Sequence, residues 1–378
     1  MKWALYNLTS TTQSGGVETG VWRLARAFAE MGQDVVVIGG ASQRPLPAAA
    51  QGLEVKTFAF RDRQRFPDLG SRARKLLERL SLAHNAFEEL RHGGYDRLVV
   101  FKTYDVGPAL WAARGGAAKV GYLSGGTEYY PGYAWLGRRL DYLASVSQHN
   151  AQQMARATGL RPAVNYLGVD GDCFRPTAPD EALARLAGLT AGDEVIVTAV
   201  RLVALKGVQR AMQAVALLAG RRPRLKLLVA GEGPYLPDLQ RQVDELGLVG
   251  RVCFVGYLPQ ERLAGFYALG RLAAFPSLGE EALGLSAGEA LACGLPVVAS
   301  DLGGLPEVVG EGGILVKPRD VEGLARAFER LLDDVDLARA MARRGGERIG
   351  RLFTWRACAQ RMIDGFATGV GSAARRGE

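Results

Sequence analysis

Short apolar runs alternate with segments of helical periodicity along the whole chain. In the first half, the runs at 2–7, 35–38, 55–60, 98–101 and 120–123 predict strands. Because they are β-branched or continuously apolar, they are typical of strands buried on both faces. Between the first two runs, a segment ending near Met31 predicts a helix with Val21, Leu24 and Phe28 on one stripe. This alternation predicts a parallel sheet with helices on both sides.

The alternation pauses once and then restarts. A proline-bearing stretch, 164–179, predicts a crossing between domains. Further strands are predicted at 195–199, 225–230, 252–255, 272–275, 297–300 and 314–316, with helices such as 208–219 and 324–332 between them. The sequence therefore predicts an α/β protein of two Rossmann-like, doubly wound domains, 1–165 and 166–355, which face each other across a cleft.

The composition fits this class of protein. The chain has 378 residues, of which 48% are hydrophobic and 23% charged, which excludes a mostly disordered chain. No run of about 18 uncharged apolar residues predicts a membrane span, and the first residues lack an apolar signal-peptide core. Four widely spaced cysteines without a C-x-x-C pair predict small core residues in a reducing compartment. We therefore expect a cytoplasmic protein.

The net charge of +8 lies entirely in the first half. This bias favours an anionic partner, or it reflects an arginine-rich, solvated surface. In 61–82, Leu76 and Leu80 form an apolar stripe bordered by arginines. That pattern predicts either a helix docked on an anionic membrane, with the protein peripheral on its inner face, or a helix packed on the sheet. No aromatic-interleaved basic motif accompanies the charge, so we expect no nucleic-acid partner.

The segment 275–309 has the densest candidate chemistry. A predicted helix at 284–293 begins at the carboxyl end of a predicted strand, and its free N–H groups suit a diphosphate. Glu281 and Glu289 lie beside this site, where carboxylates are suited to accept hydrogen bonds from sugar hydroxyls. The structural alternative is that Glu281 caps the helix and Glu289 faces solvent.

This segment resembles the signature of retaining nucleotide-sugar glycosyltransferases of family 4, which have the GT-B fold. Glu281 and Glu289 are separated by seven residues and followed by G-L-P-V-V-A at 294–299 and G-G-L-P-E at 303–307. The resemblance continues in register. It includes Arg201 with Lys206-Gly207, the turn 231–234, the segment 254–257, the crossing 168–176 and the glycine loop 14–18.

The resemblance implies a role for each matched residue. Glu289 binds the ribose hydroxyls, Glu281 contacts the donor sugar, and Arg201 and Lys206 neutralise the diphosphate leaving group. The remaining donor-binding positions are Gly15, Gly16, Gly284, Leu285, Val255 and Tyr257. No acidic pair is placed to hold a divalent ion, so we expect no metal and no cofactor, with a UDP-sugar favoured as donor. The resemblance also implies that a C-terminal segment, 356–378, completes the first domain.

One position departs from the family pattern. Where the family often has a histidine facing the donor sugar, after the run 120–123, this chain has Ser124 followed by a loop with Thr127. His149 follows a later strand end and is a second candidate. We expect Ser124, Thr127 and His149 to lie on the acceptor and sugar side.

The sequence therefore predicts a retaining, metal-independent hexosyltransferase. It moves a sugar from a nucleoside diphosphate sugar to a hydroxyl of a glycan or lipid-linked acceptor, in cell-envelope polysaccharide or glycolipid synthesis. Two alternatives stay open. One is a non-catalytic, membrane-associated sugar-nucleotide binder. The other is a dinucleotide-dependent oxidoreductase, which the absence of G-x-G-x-x-G after the first strand disfavours.

Overall fold

The structure is a computed structural model that describes residues 1–13, 15–68 and 70–369. Ser14 of the predicted glycine loop and residues 370–378 of the predicted C-terminal segment lie outside the described residues. By its internal contacts the chain divides into two compact units, the first comprising Met1–Gly168 and a final helix, the second Val169–Thr354. Each unit contains one parallel sheet, which confirms the predicted α/β class.

The first unit has a seven-stranded parallel sheet in the order β3-β2-β1-β4-β5-β6-β7. Its strands are β1 (Lys2–Tyr6), β2 (Asp34–Gly40), β3 (Glu54–Phe58), β4 (Arg97–Val100), β5 (Lys119–Ser124), β6 (Tyr142–Ser145) and β7 (Ala163–Val164). The helices are α1 (Gly16–Glu30), α2 (Ser71–His92), α3 (Thr103–Ala112), α4 (Tyr133–Gly137) and α5 (Gln148–Thr158). The five predicted strands are present within two residues at each end, whereas β6 and β7 were not predicted.

The second unit has a six-stranded parallel sheet in the order β10-β9-β8-β11-β12-β13. Its strands are β8 (Glu194–Ala199), β9 (Leu225–Ala230), β10 (Val252–Gly256), β11 (Leu272–Phe275), β12 (Val297–Ser300) and β13 (Gly313–Val316). The helices are α6 (Glu181–Leu186), α7 (Val208–Leu218), α8 (Leu236–Glu245), α9 (Gln260–Tyr267), α10 (Leu285–Ala292), α11 (Leu305–Val309), α12 (Val321–Asp333) and α13 (Val335–Leu352). All six predicted strands are present.

Apolar burial explains why these segments form their elements. The central strands of both sheets are covered on both faces, as continuous apolar runs require. Asp320 caps helix α12, because its carboxylate accepts a hydrogen bond from the Gly323 amide at 2.7 Å, and the helix buries Leu324 and Phe328. None of the helices in the described ranges is long and apolar enough to cross a membrane.

The final helix, α14 (Trp355–Thr368), belongs to the first unit although it follows the second along the chain. Phe366 packs edge-on against Trp3, with ring centroids 5.4 Å apart, and lies 5.1 Å from the ring of Tyr142. Phe28 of α1 stacks on Trp3 at 4.4 Å. The core of the first unit therefore includes residues from positions 3 to 366.

Candidate functional site

The strand order identifies where a ligand binds in the second unit. β8 and β11 are neighbours, and the chain that leaves β8 continues to β9 on one side while β11 continues to β12 on the other. In open parallel sheets, ligands bind outside the carboxyl ends of the strands at this topological switch point. Arg201 and Lys206 follow β8, and Glu281 follows β11, so the structure brings these three residues to one edge.

Glu281 and Lys206 form an ion pair at the switch point. The Lys206 ammonium donates to Glu281 Oε1 at 2.6 Å, and the Ser277 hydroxyl donates to the same oxygen at 2.8 Å. Both side chains are largely buried, at 26% and 19% exposure. Within the described residues, Glu281 Oε2 accepts no hydrogen bond, so it is available to a ligand hydroxyl.

A glycine fixes the loop that carries Lys206. Gly207 has φ of 73°, a conformation that favours glycine, and a Cβ at this position would overlap the carbonyl oxygen of Pro276. The Leu278 amide donates to the Leu205 carbonyl at 2.8 Å, which ties the same loop to the end of β11. The loop after β8 is thus held against the segment that leads to Glu281.

The N-terminus of α10 opens at this edge. Gly284 precedes the helix with φ of 91°, and the first-turn amides of Leu285 and Ser286 have no intrahelical acceptor. The Gly304 amide donates to the Glu281 carbonyl at 2.8 Å, so the glycine pair of the family signature supports the turn before α10. The free amides and the positive end of the helix dipole suit a phosphate.

The side chains of Glu289 and Arg201 have no hydrogen-bond or ion-pair partner among the described residues. Glu289 lies on α10, makes no side-chain hydrogen bond within the described residues, and burial raises its pKa to about 7. Arg201 is exposed, and its guanidinium has no partner among the same residues. A carboxylate without a partner fits ribose hydroxyls, and a free guanidinium fits a diphosphate.

The predicted base-side residues lie further along the same edge. Val255 is in β10 and Tyr257 follows it, and β10 is separated from β8 by β9. Tyr257 is 68% exposed, so its ring is available to a ligand. The roles of Val255 and Tyr257 in donor binding stay predictions.

The predicted glycine loop lies in the first unit. Gly15 precedes α1 and Gly16 begins it, and a Cβ on Gly16 would meet no atom within 4 Å. Glu18, in the first turn, accepts a hydrogen bond from the Thr9 hydroxyl at 2.5 Å. The side of Gly16 toward which a Cβ would point is therefore open.

Ser124, Thr127 and His149 are near the carboxyl ends of β5 and β6. Ser124 is fully buried, and its hydroxyl donates to the Gly126 carbonyl at 3.1 Å. Thr127 is exposed, and His149 lies half-buried in the first turn of α5. Their predicted acceptor-side roles stay predictions, although the Ser124 hydroxyl is already engaged inside the protein.

The neighbouring acids Asp333 and Asp334 both make interactions within the second unit. Asp333 pairs with Arg222, and the Asp334 carboxylate accepts a hydrogen bond from the Leu337 amide at 2.9 Å, which caps α13. No group of three or more metal-ligating side chains is arranged for an ion within 1–13, 15–68 and 70–369. Metal independence stays a prediction.

The basic segment 61–82 is less exposed than its sequence suggested. Leu76 and Leu80 are 38% and 41% exposed on α2, as a docking stripe requires. However, Arg79 is buried in an ion pair with Asp105, and three other cations pair with acids, namely Arg63 with Glu78, Arg74 with Asp68 and Lys75 with Glu128. Arg79 precedes the buried Leu82, Ala83 and Ala86 by three, four and seven residues, so helical spacing alone places it on the buried face.

Comparisons with known proteins match both halves of the chain. The family described as Glycosyltransferase Family 4 matches residues 14–172, and the family described as Glycosyl transferases group 1 matches residues 182–348. A GDP-mannose-dependent alpha-(1-6)-phosphatidylinositol monomannoside mannosyltransferase from Mycolicibacterium smegmatis is 35% identical over 240 residues. This similarity covers 61% of the chain and 63% of the relative, so the chain spans less than two thirds of that protein's length.

Solved structures share the fold over almost the whole chain. Sucrose-phosphate synthase from Thermosynechococcus elongatus has a TM-score of 0.78 at 22% identity, covering 97% of this chain and 98% of that one. HepE from Anabaena, in complex with UDP, has a TM-score of 0.77 at 21% identity, covering 97% and 100%. At these identities the similarity shows the fold, which is that of GT-B glycosyltransferases.

Proposed function

The chain belongs to the glycosyltransferases of these two matched families, and from that membership we propose that it transfers a hexose from a nucleoside diphosphate sugar to an acceptor hydroxyl. One observation carries the proposal. In the second unit, the Lys206–Glu281 ion pair and the Arg201 guanidinium, which has no partner among the described residues, follow the neighbouring strands β8 and β11, and the N-terminus of α10 follows Glu281 along the chain. Cations and free amides there would stabilise the charge that develops on the leaving diphosphate.

Each residue then has a task in the transfer. Glu281 Oε2 accepts a hydrogen bond from a hydroxyl of the donor sugar, while Lys206 and Ser277 donate hydrogen bonds to Oε1 of the same carboxylate. Glu289 accepts hydrogen bonds from the ribose hydroxyls. Arg201 and the free amides of α10 neutralise the charge of the diphosphate. We propose that the reaction retains the anomeric configuration, with the leaving phosphate taking the proton of the acceptor on the same face. NMR of the product's anomeric proton tests this, and an inverted product would contradict it.

A donor screen tests the nucleotide site. We expect one of UDP-glucose, GDP-mannose, ADP-glucose and dTDP-glucose to raise Tm by a few degrees at about 100 times Kd, where binding adds about 2.7 kcal/mol. The sequence favours UDP, whereas the mannosyltransferase relative is described as GDP-mannose-dependent. Glu289→Ala should abolish most of the shift, and Glu261→Ala, an exposed glutamate on α9, should leave it unchanged.

The same screen separates the alternatives. A shift with NADH and with no sugar nucleotide would contradict the proposal in favour of an oxidoreductase. Donor binding without turnover over a broad panel of acceptors, unaffected by Glu281→Ala, would favour a non-catalytic binder.

We expect turnover that resists EDTA, and restoration of activity by magnesium after EDTA treatment would show that a metal is needed.

We further propose that the acceptor is a glycan or glycolipid and that the protein works at the inner face of a membrane. The mannosyltransferase relative is described as acting on a phosphatidylinositol mannoside, and on α2 the exposed Leu76 and Leu80 lie beside Arg72. Vesicles rich in anionic phospholipid should co-sediment the wild type and retain less of a Leu76→Ser/Leu80→Ser variant. Equal binding to neutral and anionic vesicles would contradict the docking.

A further inference from the structure

A cavity in the first unit is lined by Val17 and Glu18 of the glycine loop, but by none of the donor-binding residues named above. It lies outside the carboxyl ends of β1, β4 and β5 and has a volume of about 250 Å³. β1 and β4 are neighbours, and the chain leaves them toward opposite sides of the sheet, toward β2 and toward β5. This is the topological switch point of the first unit, so the cavity occupies the position where an open parallel sheet binds a ligand.

Most charges around this cavity are already paired. Three ion pairs form its wall or support it, namely Arg79 with Asp105, Arg63 with Glu78 and Lys75 with Glu128. Lys102, between β4 and α3, also lines the cavity, and its ammonium makes no hydrogen bond or ion pair with any described residue. Desolvation and the neighbouring Arg79 guanidinium lower the pKa of Lys102. The cavity thus makes the charged form of Lys102 less favourable than it is in water.

Glu18 is the complementary group in the same cavity. Its Oε1 accepts a hydrogen bond from Thr9, and it forms no ion pair with Lys102. With the three pairs neutralised, the cavity presents one uncompensated cation and one carboxylate. A polyanion would be repelled by Glu18, whereas a ligand with one acidic group and several hydroxyls satisfies both Lys102 and Glu18.

We propose that this cavity binds an acidic sugar or polyol, with its phosphate or carboxylate group on Lys102 and a hydroxyl on Glu18. An anion beside Lys102 relieves the cost of keeping this ammonium charged next to Arg79. Identifying this ligand as the acceptor, or as its acidic residue, rests on the proposed function. The binding itself does not rest on it.

Calorimetric titration of the whole protein without any donor tests the site. We expect glucose 6-phosphate or glucuronate to bind at least tenfold more tightly than glucose, and the two acids distinguish a phosphate from a carboxylate. Lys102→Met should weaken the binding of the acid at least tenfold. Lys317→Met, which removes an exposed lysine of the second unit, should change nothing.

Two measurements keep a folding defect apart from a binding defect. Because Lys102 is held charged at a cost, we expect Lys102→Met and Lys102→Gln to keep or raise Tm, and to keep the Tm shift caused by the nucleotide sugar. A binding failure with an intact donor shift therefore concerns this cavity alone. Absence of binding by both acids up to 10 mM (roughly the limit of such weak polar sites), or equal binding of acid by wild type and both variants, would overturn the proposal.

Discussion

Each unit has a candidate ligand site at the topological switch point of its sheet, but different interactions hold the two sites in shape. In the second unit, backbone contacts fix the site, since Gly207 packs against the Pro276 carbonyl and the Gly304 amide bonds to the Glu281 carbonyl. In the first unit, side-chain ion pairs form the wall, and Arg79–Asp105 is the most buried of them. A site set by backbone packing depends on space at a few glycines, whereas a site set by ion pairs depends on matched charges.

Breaking the buried ion pair should give the largest effect. Arg79→Met leaves the Asp105 carboxylate, which is fully buried, without its cation, and we expect the free energy of unfolding to fall by about 3–5 kcal/mol. Arg79→Met/Asp105→Leu should recover most of this loss, because no buried charge is then left alone. Urea unfolding measures both. A single variant as stable as the double variant would show that the pair does not hold this wall together.

Removing a free cation of the second unit should impair chemistry and leave stability intact. Arg201→Ala should lower kcat by about 10²–10³, equivalent to about 2.7–4 kcal/mol, because Arg201 is proposed to neutralise the leaving diphosphate. Its exposed guanidinium has no partner among the described residues, so Tm should stay within one or two degrees (roughly 0.5 kcal/mol). Arg271→Ala, at the opposite end of the sheet at the start of β11, is the control and should retain full turnover.

The space at Gly207 can be tested apart from its backbone angle. Gly207→Ala and Gly250→Ala both place a Cβ on a residue with positive φ, but only at position 207 would it overlap another atom. We expect Gly250→Ala to cost about 1 kcal/mol and Gly207→Ala about 2 kcal/mol more. Gly207→Ala should also weaken donor binding. Equal losses in urea unfolding would mean that the loop after β8 adjusts freely.

The smallest expected effect is a pH dependence at Glu289. The pKa of Glu289 is raised in the folded protein to about 7, so between pH 4.5 and 7 the folded state binds more protons than the unfolded state. Stability therefore falls as pH rises through this range, and relative to Glu289→Gln the wild type should lose about 2–3 kcal/mol. Donor affinity should rise over the same range, because the ionised carboxylate is the better acceptor of ribose hydroxyls. Identical pH profiles for wild type and Glu289→Gln would contradict this.

The difference between the two units also decides what sequence can predict. The second unit's strands are continuous apolar runs, so their pattern was sufficient to predict them. Its candidate site residues fall in one short motif or directly after a strand, so the family resemblance could assign roles to them, and those roles stay predictions. In the first unit, β6 is followed directly by a polar segment and β7 has two residues, so neither shows a clear apolar pattern.

The ion pairs of the first unit were beyond spacing arguments. Arg79 and Asp105 are 26 residues apart and Lys75 and Glu128 are 53 apart, and no local pattern connects them. The arginines of 61–82 therefore suggested a solvated or membrane-facing surface, although the position of Arg79 relative to Leu82 and Ala86 indicated its burial. No sequence pattern could have predicted a binding role for Lys102. That role is inferred from its place in a cavity whose other cations are paired, whereas Lys102 has no partner among the described residues.

The place of α14 in the first unit has a consequence for synthesis on the ribosome. A nascent chain that has reached Thr354 contains every residue of the second unit, but it lacks Phe366, which covers Trp3 and Tyr142 in the first. Domains generally fold as units while the chain emerges. Here the order of completion is reversed. The unit translated first must wait for the last helix, without Phe366 against Trp3, while the unit translated second already has all its residues.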